Sequence, residues 1–457
     1  MPPDRSELAN LVDPEAGVVA RAAYIDPGVY ELEQARIFAR SWLYVAHESQ
    51  LGQPGDFVTT TMAEDQVIVT RDRTRAIRVF LNSCRHKGML VCRAEQGRAL
   101  SHRCSYHGWT YRVDGSLAAV PNLADAYYDE LNREQLGLVP VALVDTYKGL
   151  IFACFDPDAP PLADYLGDMA WYLDIMLDRD DDGTEVIGPA QKWRVESNWK
   201  FPAENFIADF QHAQASTHVS AMKAQGFFRL VGADGGSQMS TEAGHGLFIT
   251  HFDPQAEAAR QQVDPVVAAW LKETGPAVMA RLGELRAFRL RPVAGTIFPN
   301  FSYLMPVLFP SVRVWHPRGP QAIDIASWCI VDRSAPDEVK DAIARSYLRN
   351  FGPGGMFEMD DSENWQLATR ANRGWVTRQG HLQVGMGLGH ERVEPDRPGL
   401  GGQLISEANA RAFHRRWRTM MGAPSWSEVP PVCSPAETVT YIRTQRAADP
   451  SGAGVAS

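Results

Sequence analysis

Two short stretches of this 457-residue chain pair a cysteine with a histidine. They are Cys84-Arg85-His86 and, seventeen residues on, Cys104-Ser105-Tyr106-His107. Each fits on one loop, so two loops can close on a single metal centre from opposite sides. Two thiolates and two imidazoles suit a tetrahedral zinc, or a [2Fe–2S] cluster whose thiolates hold one iron and whose imidazoles hold the other. Structural zinc usually takes its cysteines as one spaced pair and its histidines as another. Here each half supplies one of each, which favours iron–sulfur. Gly88 and Gly108 follow the two histidines closely, and glycine lets backbone turn tightly against inorganic sulfide. Neutral imidazole in place of thiolate leaves such a cluster less negative, so it accepts an electron more readily.

A second set of metal-ligating types lies in Asn198-Trp199-Lys200-Phe201-Pro202-Ala203-Glu204-Asn205-Phe206-Ile207-Ala208-Asp209-Phe210-Gln211-His212, followed by His218. On a continuous helix Asp209 and His212 stand about 60° apart, so the Asp209 carboxylate can accept a hydrogen bond from the His212 ring. His212 and His218 stand about 120° apart, so a shared metal requires the helix to bend, bulge or end between them. Far downstream, Glu358-Met359-Asp360-Asp361-Ser362-Glu363 offers a carboxylate. Two His and one carboxylate make the facial triad of non-haem Fe(II) oxygenases. Acidic residues are equally ordinary near a helix start, and the residues alone leave both readings open.

The first motif resembles the Rieske domain. The order of these loops, then Asn-Trp-Lys, Glu-Asn-Phe, the spaced Asp, His and His, and finally Asp360-Asp361-Ser362-Glu363-Asn364-Trp365, resembles the α subunit of aromatic-ring-hydroxylating dioxygenases. The similarity runs from Trp42 through Arg313-Val314-Trp315-His316-Pro317-Arg318-Gly319-Pro320 to Trp365. The gap between the histidines is similar to that of the toluene/biphenyl branch. Gln211 departs from the tyrosine common before the first His. The resemblance implies a [2Fe–2S] cluster on Cys84, His86, Cys104 and His107, and a mononuclear Fe(II) on His212, His218 and Asp361. It further implies Asn205 and Asp209 as catalytic residues, with Asp209 bridging His107 of one chain and His212 of the next. Phe206, Phe357 and Ile297-Phe298-Pro299-Asn300 are expected to line the substrate pocket. The implied reaction puts both atoms of O₂ into an aromatic ring, giving a cis-dihydrodiol. Electrons come from NAD(P)H through a reductase and a ferredoxin, and the assembly is α₃β₃ with a small β subunit, or α₃. A Rieske monooxygenase or demethylase uses the same metals and stays open as the alternative. An electron carrier needs only residues 40–156 and leaves the rest unexplained.

The implied fold is α+β: a β-rich Rieske domain at 40–156, and a catalytic domain from 1–39 and 157–457 built on an antiparallel sheet. Residues from about 5 to 40 read as helical. From Trp42 to Asp156 the chain is strand-like, with a hairpin turn at Asp114-Gly115 and the cluster loops at hairpin tips. Leu162 to Leu177 reads as one helix. Asp178 to Gly183 has acidic residues at calcium-loop positions, but Pro189 stands where a bidentate Glu belongs, so it reads as a solvated turn.

Apolar content of 45% and charged content of 22% describe an ordinary globular protein, long enough for two cores. A net charge of −10 with no basic tract argues against nucleic acid. Six cysteines make no disulfide framework; Cys92, Cys154, Cys329 and Cys433 read as buried thiols. The first residues lack a basic-then-apolar signal and read as cytoplasmic. Pro292 to Val312 is uncharged over 21 residues, but its four prolines exclude a membrane helix; it reads as buried strands and turns. Pro450 to Gly454 is expected to be disordered.

Overall fold

The computed structural model describes residues 8, 10–226, 228–253, 258, 264–305 and 308–448; the expectation for Pro450–Gly454 lies outside them. The described residues divide into two compact units. One spans Phe38–Leu162, and the other joins the residues up to Ile37 with those from Ala163 onward.

The first unit is built from short antiparallel strands. Ile77–Leu81, Asp65–Arg71, Asp56–Met62 and Gln96–Arg98 form one sheet in that order. Leu117–Ala119, Thr110–Arg112 and Ser101–Arg103 form a second, and Leu143–Tyr147, Leu150–Cys154 and Leu43–His47 a third. Leu150–Cys154 is buried at every position, so it reads as an unbroken apolar run rather than an alternating one. The Cys104–His107 loop sits at a hairpin tip between Ser101–Arg103 and Thr110–Arg112. The Cys84–His86 loop does not: the strand before it pairs with Asp65–Arg71 and the strand after it with Asp56–Met62.

The second unit carries a nine-stranded antiparallel sheet. Its order is Thr184–Val195, Ile323–Asp332, Ser311–Pro317, Phe301–Leu304, Leu290–Ile297, Gly246–His251, Gly236–Ser240, Leu400–Gln403 and Arg392–Val393. The uncharged run from Pro292 supplies three neighbouring strands of it, as read from its prolines, with Pro306 and Val307 outside the described residues. No helix among the described residues is long and apolar enough to cross a membrane.

Two helix readings need correction. The stretch from 5 to 40 is not one helix. Val12–Asp13 pairs with Val18–Ala20, which pairs in turn with His381–Gln383. A β-branched segment there finds a strand partner some 360 residues away, and tertiary pairing overrides the local stripe. A 3-10 turn covers Arg21–Tyr24, and an α-helix starts at Pro27, where Asp26 accepts hydrogen bonds from Gly28 and Val29 N–H; Asp-Pro is a helix-start signal that the sequence carried. Leu162–Leu177 is two helices, Leu162–Leu166 and Met169–Leu177, parted by Gly167 at φ +46°. The acidic turn is held by the protein's own groups: Asp180 accepts from Asp182 and Gly183 N–H, and Arg281 pairs with Asp178 and Asp181. Cys92, Cys154 and Cys329 are buried, whereas Cys433 is exposed.

Candidate metal centres and the cavity between helix and sheet

The two Cys-His loops share one backbone plan. In each, the cysteine N–H donates to the carbonyl five residues on, Met89 or Trp109, at 2.8 Å. The glycine four residues on returns a bond to the cysteine carbonyl, at 2.9 Å for Gly88 and 3.0 Å for Gly108. Both glycines have positive φ, +73° and +75°, where a side chain is strained. Cys84 and Cys104 are buried, and the His86 and His107 rings lie 4.4 Å apart with His86 stacked on Trp109. The Nδ1 of His86 is buried without a hydrogen-bond partner. Partial burial, then the charges of His107 and Lys87, lower the His86 pKa, which favours the neutral ring that a metal needs. Twin loops, two buried thiols and an orphaned ring nitrogen fit a cluster with sulfur on one side and imidazole on the other.

Tyr111, which the sequence reading passed over, touches this site. Its hydroxyl accepts from Arg85 N–H at 3.0 Å and lies 3.2 Å from Cys84 Sγ. With its lone pair engaged, the O–H is placed to donate to the sulfur. Such a bond favours the reduced, more negative cluster. Tyr111→Phe is expected to lower the cluster's reduction potential by roughly 20–65 mV, the equivalent of one ordinary hydrogen bond. Redox titration followed by electron paramagnetic resonance checks it; an unchanged or raised potential contradicts it.

The second centre begins with the helix Lys200–Ala208. Asn198 starts it, accepting Lys200 N–H on its side chain, and Thr369 accepts Asn198 N–H, which ties this helix to Met356–Asn372. The buried Lys200 pairs with the equally buried Glu33 at 2.5 Å, and Glu33 also accepts from the indoles of Trp199 and Trp417. Breaking such a pair costs roughly 3–5 kcal/mol, so the helix start is firmly held. The helix lies close on the sheet, where a Cβ on Gly246 would come within 2.9 Å of Ile207. It ends because buried amides take its last carbonyls. Gln238 donates to Ala208 O at 2.6 Å and Asn409 to Ile207 O at 2.7 Å. The break falls at Asp209, whose backbone is not helical (φ −98°, ψ 75°), and short helices follow at Gln211–Ala215 and Val219–Ala224.

This break changes the expected role of Asp209. Its carboxylate accepts the main-chain N–H of His212 at 3.0 Å, while the His212 ring Nδ1 donates to the Asp209 main-chain carbonyl at 2.5 Å. The carboxylate is 3.4 Å from the ring nitrogen, an ion-pair distance rather than the ring's hydrogen bond. The second interruption, after Ala215, turns His218 back toward His212, as a shared metal requires. Phe210 and Gln211 flank the break, and Gln211 is exposed.

His212 Nε2, His218 Nε2 and Asp361 Oδ1 converge, 3.1 Å between the nitrogens and 3.2 Å from each to the oxygen. Three donors about 2.1 Å from one ion stand about 3.0 Å apart on an octahedral face and about 3.4 Å apart in a tetrahedron. The observed triangle is nearer the octahedral face, which leaves other positions open. Asp361 Oδ1 is buried and has no hydrogen-bond partner. Each ring has its other nitrogen engaged: Nδ1 of His212 as above, and Nδ1 of His218 toward Asp360 Oδ2 at 3.3 Å. Both Nε2 lone pairs thus face the centre. Geometry separates the acidic pair, with Asp361 at the centre and Asp360 behind His218. Burial works against charge on Asp361 and His212, yet the opposite charges around them prevail, His218 and then His212 acting on Asp361, and Asp209 and Asp361 acting on His212. Together they hold the Asp361 carboxyl well below the usual range and raise His212 to about 10. A field that strong for a proton suits a cation equally.

A cavity of about 590 Å³ opens on these ligands, and His212, His218, Asp361, Asn205, Phe206 and Phe357 all line it. Ile297-Phe298-Pro299-Asn300, expected in the wall, is not among the described lining residues. It forms the turn between two sheet strands, Phe298 packing on Phe413 and Asn300 donating to Trp315 O. Behind the wall lies a pair without a sequence signal. Arg313 and Glu358, both fully buried, meet at 2.6 Å, and the guanidinium lies 4.7 Å from the Phe206 ring. Burial lifts Glu358 to about 7 against the opposing pull of Arg313.

Comparison with known proteins follows the same division. The Rieske [2Fe–2S] domain family matches residues 41–147, and the catalytic domain of the ring-hydroxylating α subunit matches residues 162–423. The chain is 39% identical to the biphenyl dioxygenase α subunit of Paraburkholderia xenovorans, over 93% of this chain and 95% of that one. It is 40% identical to the benzene 1,2-dioxygenase α subunit of Pseudomonas putida, over 92% and 95%. A solved structure of naphthalene 1,2-dioxygenase with indole in its active site superposes with a TM-score of 0.86, at 32% identity, covering 95% of this chain and 97% of that one.

Proposed function

The chain belongs to the α subunits of aromatic-ring-hydroxylating dioxygenases, and from that premise we propose how its residues divide the work. One arene, one O₂, two electrons and two protons give one cis-dihydrodiol. A bound [2Fe–2S] cluster supplies electrons singly, and a bound Fe(II) supplies the activation of O₂. Cys84, Cys104, His86 and His107 hold the cluster. His212, His218 and Asp361 hold the iron. Asn205, Phe206 and Phe357 seat the ring beside it, in a wall that keeps water away. We assign 40–156 to the cluster domain and 1–39 with 157–457 to the catalytic one.

The observation that carries this reading is the meeting of three ligand atoms at the floor of an apolar cavity, in a chain that also holds an electron-transfer motif. Electrons reach the cluster from NAD(P)H through a reductase and a ferredoxin, in the cytoplasm. The assembly is a trimer of this subunit, with or without a small β subunit. Asp209, its side chain 47% exposed, is available to meet His107 of the partner subunit and carry electrons across.

With iron-replete protein, a generic ferredoxin and reductase, and a mixture of ¹⁸O₂ and ¹⁶O₂, the diol from a two-ring arene is expected to carry two heavy oxygens or none. Product with one heavy and one light oxygen in statistical excess contradicts dioxygenation and returns the monooxygenase alternative.

A further inference from the structure

The break ahead of His212 is an exchange of hydrogen bonds. In a continuing helix the Ile207 carbonyl would accept Gln211 N–H, and the Ala208 carbonyl would accept His212 N–H. Two side-chain amides take these acceptors instead. Gln238, on the strand Gly236–Ser240, donates to Ala208 O at 2.6 Å. Asn409, in the first turn of the helix Ala408–Gly422, donates to Ile207 O at 2.7 Å. Ala208 O also accepts Phe210 N–H at 3.2 Å, which closes an inverse γ-turn on Asp209. His212 N–H, deprived of its helical acceptor, goes to the Asp209 carboxylate at 3.0 Å. The Asp209 carbonyl, swung out of the helical direction, accepts from the His212 ring Nδ1 at 2.5 Å. That last bond leaves Nε2 for the metal.

Neither amide is free to turn over. Both residues are fully buried. Gln238 Nε2 also donates to Leu404 O at 3.3 Å and to Ser406 O, while its Oε1 accepts Asn409 N–H at 3.0 Å. Asn409 Nδ2 donates to Leu247 O at 2.8 Å as well. Turning either amide over would set its oxygen against carbonyl oxygens, which offer it no proton. The two side chains therefore hold the end of Lys200–Ala208 in one state, from two elements that the ligand segment does not include.

We propose that Gln238 and Asn409 are positioning residues of the oxygenation site. By occupying the Ala208 and Ile207 carbonyls they set which nitrogen His212 offers the metal and where the Asp209 carboxylate stands. This rests on the reading of His212, His218 and Asp361 as iron ligands and adds the residues that put His212 in place.

The test needs a control that weakens the same helix without touching its end. Thr296 supplies one: its buried hydroxyl donates to Ala203 O at 2.9 Å, in the middle of Lys200–Ala208. Gln238→Met keeps an unbranched side chain but removes the donor. In that variant, ferrous iron beyond that of the cluster is expected to bind about 10- to 100-fold more weakly in chelator titration of the holoenzyme. At saturating iron the paramagnetic spectrum of its nitric oxide adduct is expected to differ from wild type, since the His212 ring is no longer held by the same bond. Asn409→Ala is expected to lose less, because Ile207 O then draws in Gln211 N–H rather than His212 N–H. It carries the test if the methionine variant is insoluble. Thr296→Val is expected to melt at a lower temperature with wild-type iron affinity and spectrum. Wild-type affinity in both amide variants, or an equal loss in Thr296→Val, overturns the proposal. Wild type that takes up no iron beyond its cluster sinks the triad and this proposal together. Dioxygenation by wild type, with iron affinity unmoved in both amide variants, sinks this proposal alone.

Discussion

Asp361→Ala is expected to purify with its cluster spectrum intact, without the second iron, and with no turnover, while Asp360→Ala keeps its iron whenever iron is supplied. The neighbouring carboxylates differ in what they face. Asp361 Oδ1 is 3.2 Å from both Nε2 atoms and is buried without another partner. Removing it takes away one of three donors and leaves two imidazoles whose field no longer favours a cation. Asp360 reaches only the far nitrogen of His218, at 3.3 Å, with its side chain partly exposed. Its loss frees the His218 ring to rotate or change tautomer, which costs roughly 10- to 100-fold in metal affinity. Iron per chain beyond that of the cluster, measured during chelator titration, separates the two variants. Equal iron loss from both, or loss from Asp360→Ala alone, reverses the assignment of the third ligand.

What the sequence allowed and what it concealed follow from how far apart the causes lie. The cluster motif was legible because its ligands, its glycines and the two bonds that close each loop all fall within six consecutive residues. His212 and His218 were legible as a pair only on condition that the helix be broken, and nothing near them shows the cause. The first break is made by Gln238 and Asn409, which take the last carbonyls of Lys200–Ala208 from 30 and 202 residues away. The N-terminal strands were hidden for the same reason, since their partner is His381–Gln383. The choice between Asp360 and Asp361 rested on resemblance, because two adjacent residues on one helix differ by only about 100° of rotation, and which direction faces the histidines is decided by packing. Phe206 and Phe357 were placed in the wall, but Ile297–Asn300 was not, because a buried apolar turn and a cavity wall have the same composition. Arg313 and Glu358 show the converse: charged residues fully buried and paired, which composition assigns to the surface.

Asp209→Asn is expected to leave both metals bound and to stop electrons passing from cluster to iron on the timescale of turnover. The structure sharpens this. If the carboxylate served only to orient His212, its replacement would cost roughly 10- to 100-fold in iron affinity. Here the ring Nδ1 of His212 is held by the Asp209 main-chain carbonyl at 2.5 Å, which the substitution does not touch. The carboxylate instead accepts His212 N–H at 3.0 Å, a bond that an asparagine Oδ1 accepts as well. What asparagine cannot supply is the negative charge, 3.4 Å from the His212 ring, and a second acceptor oxygen on the half-exposed side. Those are the features a bridge to His107 of the partner subunit requires, since that imidazole can then donate into the same carboxylate that faces His212. The decisive measurement is a single-turnover one: iron-replete protein with its cluster reduced, mixed with substrate and O₂, and followed by the cluster's absorbance. Unimpaired cluster oxidation in Asp209→Asn refutes the bridge. Iron loss as the sole defect, with normal oxidation once iron is restored, reduces Asp209 to a positioning residue. Retained iron, an intact assembly and a cluster that stays reduced are the expected result.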